Sequence, residues 1–349
     1  MFGAGASYDS DPANPPGLDR RELPYRLPLA DGLFQPRRDF REALSRYPRC
    51  KPVVARLIGG NVEGKLQALR EEGKENPERL RQLIAVRYYL QDIIAKCQDH
   101  WISGCDGITN YLGLLDEIEH WRGRKAVSGI FLVTFNYDTL LEDALQRRCN
   151  TKFRETYEYV GSSLNYNLVK PHGSVNWGRE VLHRLVDIGS PTGGSRSEEA
   201  IRDDLIERAG ELELGEIRSL SKDGQIRSGI PTHIHDQLII PAITIPVESK
   251  SDYECPAHHL DKLEEYLSTV KVMVTVGWRA SERGFLDKLA AKLHGSLNVM
   301  VVSSNEAGAH KVIKNMQNAG IRGEFGASKG GFTDFVRQAE LTRFLNQKT

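Results

Sequence analysis

Three short stretches carry side chains that could do chemistry together: Asn136-Tyr137-Asp138, His172-Gly173-Ser174 and Gly3-Ala4-Gly5-Ala6-Ser7. An amide, a carboxylate and an imidazole can orient a substrate and deliver a base-activated water, because the intrinsic pKa of imidazole lies near neutrality. Such a step needs no thiol and no metal. A G-x-G-x-S loop lets backbone approach a pyrophosphate closely, since glycine adds no Cβ and tolerates positive φ. Each stretch also has a plainer reading: Asn136 and Asp138 as turn and N-cap residues, His172 as an ordinary surface or core histidine.

The elements that must position these groups can be read from the pattern around them. Phe131-Leu132-Val133-Thr134-Phe135 is apolar or β-branched and runs into the Asn-Tyr-Asp triplet. Thr139-Leu140-Leu141-Glu142 then reads as a capping box that opens an amphipathic helix. Asn136 and Asp138 are thereby expected where a buried strand hands over to a helix, the place where open α/β sheets hold ligands, and Asn136 and His172 are expected as exposed polar side chains at strand ends. Asn167-Leu168-Val169 gives a short strand that runs into His172. Further strands are expected at 237–243, at 270–276 where valines alternate, and at 297–302, the last clear one. Helices follow from Ser281, carrying Phe285, Leu286, Leu289 and Leu293, and from Ser303-Ser304-Asn305-Glu306. Strands alternating with helices along the whole chain predict an α/β fold with a doubly wound, mostly parallel sheet.

Residues 1–38 and 126–330 are assigned to the sheet domain. Residues 8–38 are rich in Pro, Asp and Arg and read as loop. Residues 39–125 read as a helical insertion, with Leu80, Leu83, Ile84, Ile93, Ile94 and Cys97 on one apolar face and Gly59-Gly60 among its separators. Residues 185–230 read as a second, variable insertion with a helix near 200–220, and 331–349 as a C-terminal helix. Tyr8 stands where the third glycine of the dinucleotide fingerprint would fall, which disfavours hydride transfer. Only Met1 and Phe2 precede the glycine loop, so part of a strand is expected upstream of Met1.

Lys plus Arg and Asp plus Glu both number 47, which gives no global electrostatic case for nucleic acid or an anionic membrane. No apolar run approaches the ~20 residues of a membrane span, and the start lacks the regions of a signal peptide. The five cysteines are odd in number and form no C-x-x-C, so they read as reduced thiols of a cytoplasmic protein. His233-x-His235 and Cys255-x-x-His258-His259 supply ligand types without the spacing of a zinc knuckle, and no metal site is expected.

In this order on an α/β pattern, Gly3-Ala4-Gly5-Ala6-Ser7, Asn136-Tyr137-Asp138, His172-Gly173-Ser174, Val276-Gly277-Trp278 with Ser281, and Ser304-Asn305 resemble the sirtuin superfamily. More narrowly, they resemble the bacterial sirtuin-like domains of anti-phage defence systems. The resemblance covers the sheet elements and not the two insertions. It implies a Rossmann-like domain with NAD as the substrate and no metal. Gly3, Ala4, Gly5, Ala6 and Ser7 would hold the pyrophosphate, Asn136 the nicotinamide ribose and an attacking water, and Asp138 the carboxamide. His172 would be the base on the ribose hydroxyls, with Gly277, Ser281, Ser304 and Asn305 on the adenosine half. Deacylating sirtuins resemble one another in a four-cysteine zinc module that this chain lacks. The long loop at 8–26 leaves Asp31 without an assigned role.

The activity so implied is NAD glycohydrolysis to nicotinamide and ADP-ribose, by an effector that depletes the cofactor during infection. One alternative is a non-catalytic module that binds NAD or ADP-ribose, or a ring that docks a HerA-type ATPase. Another is a zinc-free deacylase or ADP-ribosyltransferase. Relatives of this kind resemble one another in working as large assemblies, so a homo-oligomer larger than a dimer is expected, with a HerA-type ATPase as partner.

Overall fold

The computed structural model of the chain describes residues 1–17, 23–57, 60–124, 129–161, 164–182, 197–220, 233–234, 237–246, 253–293 and 297–348. Much of the stretch expected as a variable insertion, together with Gly59 and His235, lies outside the described residues. The fold is mixed α/β. Its strands are β1 (Ile130–Val133), β2 (Tyr166–Val169), β3 (Gly173–Val181), β4 (Leu214–Ser219), β5 (His233–Ile234), β6 (Gln237–Ile243), β7 (Val272–Val276), β8 (Leu297–Val302) and β9 (Gly323–Ser328).

Strands β1 and β2 pair in parallel, as do β7, β8 and β9. Phe2 joins the two sets. Its N–H donates to Val133 O at 2.8 Å and its carbonyl accepts from Phe135 N at 2.9 Å. On the other side Gly3 N donates to Val276 O at 3.0 Å, and Val276 N to Met1 O at 2.8 Å. The ladder therefore runs β2, β1, the Phe2 segment, β7, β8, β9, with every pairing parallel. The glycine loop thus follows a segment that is hydrogen-bonded on both edges.

Residues 237–243 do not join this ladder. They form β6 of an antiparallel sheet in the order β4-β3-β6-β5. The chain turns into that sheet at Gly173, whose φ is +84° and where a Cβ would fall 2.0 Å from Ala242 O. Only glycine fits so close an approach. The helix expected near 200–220 stops short, at Glu198–Glu207, and Leu214–Ser219 is strand β4. Its charges concealed the alternation: Ile217 and Ser219 are buried while Leu214, Glu216 and Arg218 are exposed. Strand β9 was not anticipated from the sequence. At Gly323 β8 lies so close that a Cβ would sit 2.1 Å from Leu297 O. The expected C-terminal helix is two helices, Gly331–Arg337 and Glu340–Lys348, separated at Ala339 with φ +48°.

Between residues 38 and 122 the chain is helical. The longest helix, Pro77–Gly104, starts from an Asn76 cap with Pro77 in its first turn. Its buried face, which includes Leu83, Ile84, Val86, Leu90, Ile93 and Ile94, belongs to the same core as Phe2, Leu140, Leu168 and Trp177. Burying each such side chain contributes about 1.5–3 kcal/mol. A second core, with Phe135, Trp278, Phe285, Val299 and Val301, lies around β7 and β8. Among the described residues no helix is long and apolar enough to cross a membrane.

Candidate active site

A cleft of about 690 Å³ opens at the carboxyl ends of the parallel strands. It is lined by Gly3, Ala4, Gly5 and Ser7 after the Phe2 segment, by Asn136 and Asp138 after β1, and by His172 after β2. Gly277 and Ser281 reach it from the end of β7, Ser304 and Asn305 from the end of β8. Of the residues singled out in the sequence, Ala6 alone is set behind the wall, fully buried.

Backbone contact explains the glycines. Gly5 N donates to Gly277 O at 3.1 Å, and a Cβ on Gly3 would lie 2.6 Å from both Gly277 O and the Trp278 Cα. The N–H groups of Gly3, Gly5 and Ala6 are all donated within the protein. The loop thus presents backbone without projecting side chains more than it presents a row of N–H donors.

Asn136, Asp138 and His172 are 6 %, 6 % and 1 % exposed, so the expected exposure at the strand end is wrong. The helix Asn110–Arg122 brings Tyr111, which sequence reasoning missed, against Asn136. Asn136 Nδ2 donates to Ser7 Oγ at 2.8 Å and to the Tyr111 hydroxyl oxygen at 3.2 Å. Ser7 Oγ and the Tyr111 hydroxyl lie 3.0 Å apart. No sequence signal pointed to Tyr111: at the start of an apolar-periodic helix it reads as core.

The capping box does not form either. Thr139 makes no side-chain cap bond, and Glu142 turns inward, where its Oε1 accepts from Lys170 Nζ at 2.7 Å. Lys170 and Glu142 are 0 % and 1 % exposed, so a buried cation won the carboxylate from the helix end. The helix N-terminus is served instead by Asp138 Oδ1, which accepts from Leu140 N at 3.2 Å, and by Gln98 Oε1, which accepts from Thr139 N at 2.9 Å. Lys170 Nζ also donates to the Asp138 carbonyl at 2.5 Å, which pins the strand-end turn. Burial pushes the Asp138 and Glu142 carboxyls above the usual range, and the Lys170 charge pulls both back.

His172 Nδ1 lies 3.3 Å from Phe135 O. Phe135 packs against it at 5.0 Å between centroids and stacks on Trp278 at 5.4 Å, within 2° of parallel. The Trp278 indole donates to Glu282 Oε2 at 2.8 Å, so Glu282, also on the cleft and also missed, steadies this aromatic wall. At the far end Asn305 Oδ1 caps the helix Glu306–Asn318 through Gly308 N at 2.8 Å. Arg279 and Lys311 add positive charge to the lining. Asp31 is exposed and is not among the lining residues.

Among the described residues no three His, Cys, Asp or Glu side chains converge as a metal site would require. His259 is fully buried and bonds Thr156 O through Nε2 at 2.7 Å. What the cleft can do chemically is accept hydrogen bonds, take up a proton and exclude bulk water. A scan against protein-family models gave no match, and a search of curated proteins gave none.

Proposed function

We propose that the chain is a sirtuin-like NAD glycohydrolase, an effector that cleaves NAD to nicotinamide and ADP-ribose, built on a doubly wound Rossmann-like sheet. The observation that carries the reading is the convergence of five separated stretches, from Gly3 to Asn305, on one cleft at the carboxyl ends of parallel strands. The continuous parallel ladder through Phe2 supports the doubly wound reading. The residues present fit NAD in two respects: an extended backbone surface at Gly3 and Gly5 over which a diphosphate can lie, and a buried amide oxygen, Asn136 Oδ1, to which no described protein group donates.

Nicotinamide is held to ribose as a pyridinium and departs as a neutral molecule, so no general acid is needed, unlike a sugar leaving group. The protein's tasks are to orient the ribose, keep out bulk water and accept a proton. With a proton on Nδ1 facing the Phe135 carbonyl, His172 keeps Nε2 as its basic nitrogen. Asn136 Oδ1 accepts from a ribose hydroxyl or the attacking water. Asp138 sits beside it for the carboxamide, and Arg279 and Lys311 offset the diphosphate charge.

The test is incubation of the purified protein with NAD alone, without any acylated peptide. Nicotinamide and ADP-ribose should appear in equal amounts. Intact NAD together with measurable ADP-ribose binding would leave the non-catalytic module standing in its place.

A further inference from the structure

The site's amide has a defined orientation, and the reason lies in the protons around it. Three contacts join Asn136, Ser7 and Tyr111: from the amide to each hydroxyl, and between the two hydroxyls. Each hydroxyl brings one proton. Were the amide oxygen turned toward the hydroxyls, both of their protons would be used on it, and the contact between Ser7 and Tyr111 would have none. With the amide nitrogen turned that way every contact has a proton. Asn136 Nδ2 donates its two protons to the two hydroxyl oxygens, and a hydroxyl proton remains for the contact between them.

The consequence falls on the other half of the amide. Asn136 Oδ1 is buried, belongs to a residue that lines the cleft, and receives no hydrogen bond from any described protein group. A buried acceptor left so is destabilising, and a ligand's donor relieves that on binding. The geometry points to Tyr111 as a positioning residue: with Ser7 it locks the Asn136 amide so that its oxygen is the end left for a ligand's hydrogen-bond donor. That this donor is a ribose hydroxyl or water rests on the proposed function, whereas the locking does not. The lock comes from the helical layer, outside the motifs that flank the cleft.

Two readings of the Tyr111→Phe variant, which removes one oxygen and keeps the ring, test this. With asparagine labelled in 15N, the Asn136 side-chain amide protons of the wild type should exchange slowly with solvent. In Tyr111→Phe they should exchange at least about tenfold faster, and kcat on NAD should fall about ten- to hundredfold with KM nearly unchanged, as displacement of an aligned group does. Unchanged amide exchange and unchanged kcat in Tyr111→Phe overturn the positioning role even if NAD is cleaved. Slow amide exchange lost in Tyr111→Phe, in a protein that leaves NAD intact, upholds the lock and sinks the glycohydrolase reading instead.

Discussion

Gly5 and Gly277 stand back to back, and a Cβ on Gly277 would fall 2.4 Å from the Gly5 carbonyl carbon. From the other side a Cβ on Gly5 would meet the Gly277 Cα at 2.9 Å, and Gly277 holds φ +58°. Two glycine stretches that the resemblance assigns separately, to the pyrophosphate and to the adenosine half of a dinucleotide, are one joint between the Phe2 segment and β7. Their composition answers to that packing whether or not a phosphate lies above it.

On the proposed function, Asn136→Ala and His172→Ala should each lower NAD turnover about hundredfold or more, since one removes the acceptor and the other the base. Because the amide is buried, its loss leaves the Ser7 and Tyr111 hydroxyls without a donor, and stability should drop by about 1–2 kcal/mol. Nicotinamide release and urea denaturation on the same preparations check both parts. Folded variants that turn over NAD at the wild-type rate would refute the assignment.

The buried pair of Lys170 and Glu142 makes a separate prediction about stability. Lys170→Met leaves the Glu142 carboxylate buried without its cation and the Asp138 carbonyl without a donor, so about 3–5 kcal/mol should be lost. Adding Glu142→Gln removes the stranded charge and should recover a large part of that loss. A double-mutant cycle by chemical denaturation decides it, and simple additivity of the two single losses would rule out the coupling.

His259 predicts how stability responds to acid. Burial pushes its imidazole down to about 4 from an ordinary 6.5, while the bond to Thr156 O opposes the shift. Between those values the unfolded chain binds the extra proton and the folded one does not. The contribution is therefore complete above pH 6.5 and is lost as pH falls toward 4, by up to about 3 kcal/mol. Asp138 and Glu142, raised by burial, act in the opposite sense over part of that range, so the comparison is with His259→Gln, which keeps a donor for Thr156 O and cannot titrate. The stability difference between the two proteins should narrow between pH 7 and pH 4. A difference that stays constant with pH sinks the assignment.

What the sequence disclosed were features that depend on neighbours along the chain. The apolar run into Asn136, the alternating valines before Gly277 and the Asn305 cap all appear where periodicity placed them. What it concealed depends on residues distant in the chain. Glu142 looked like a helix cap because the pattern Thr-x-x-Glu is local, while its partner Lys170 arrives from the end of β2. Tyr111 and Gln98 looked like helix interior, yet each directs a polar group at the residues that follow β1. Strand β9 was missed because its glycines lower strand propensity, and the close approach of β8 at Gly323 is not legible along the chain.

The join at Phe2 also bears on how the molecule comes together. A segment hydrogen-bonded to Val133 on one edge and to Val276 on the other cannot complete its ladder until both distant strands exist. Local helices between residues 38 and 122 and the β7-β8-β9 set join near neighbours, whereas the middle of the parallel ladder joins residues far apart in the chain, whose loops cost more to close. The glycine loop that follows Phe2 is therefore ordered late: the floor of the cleft is assembled only after most of the polypeptide has found its place.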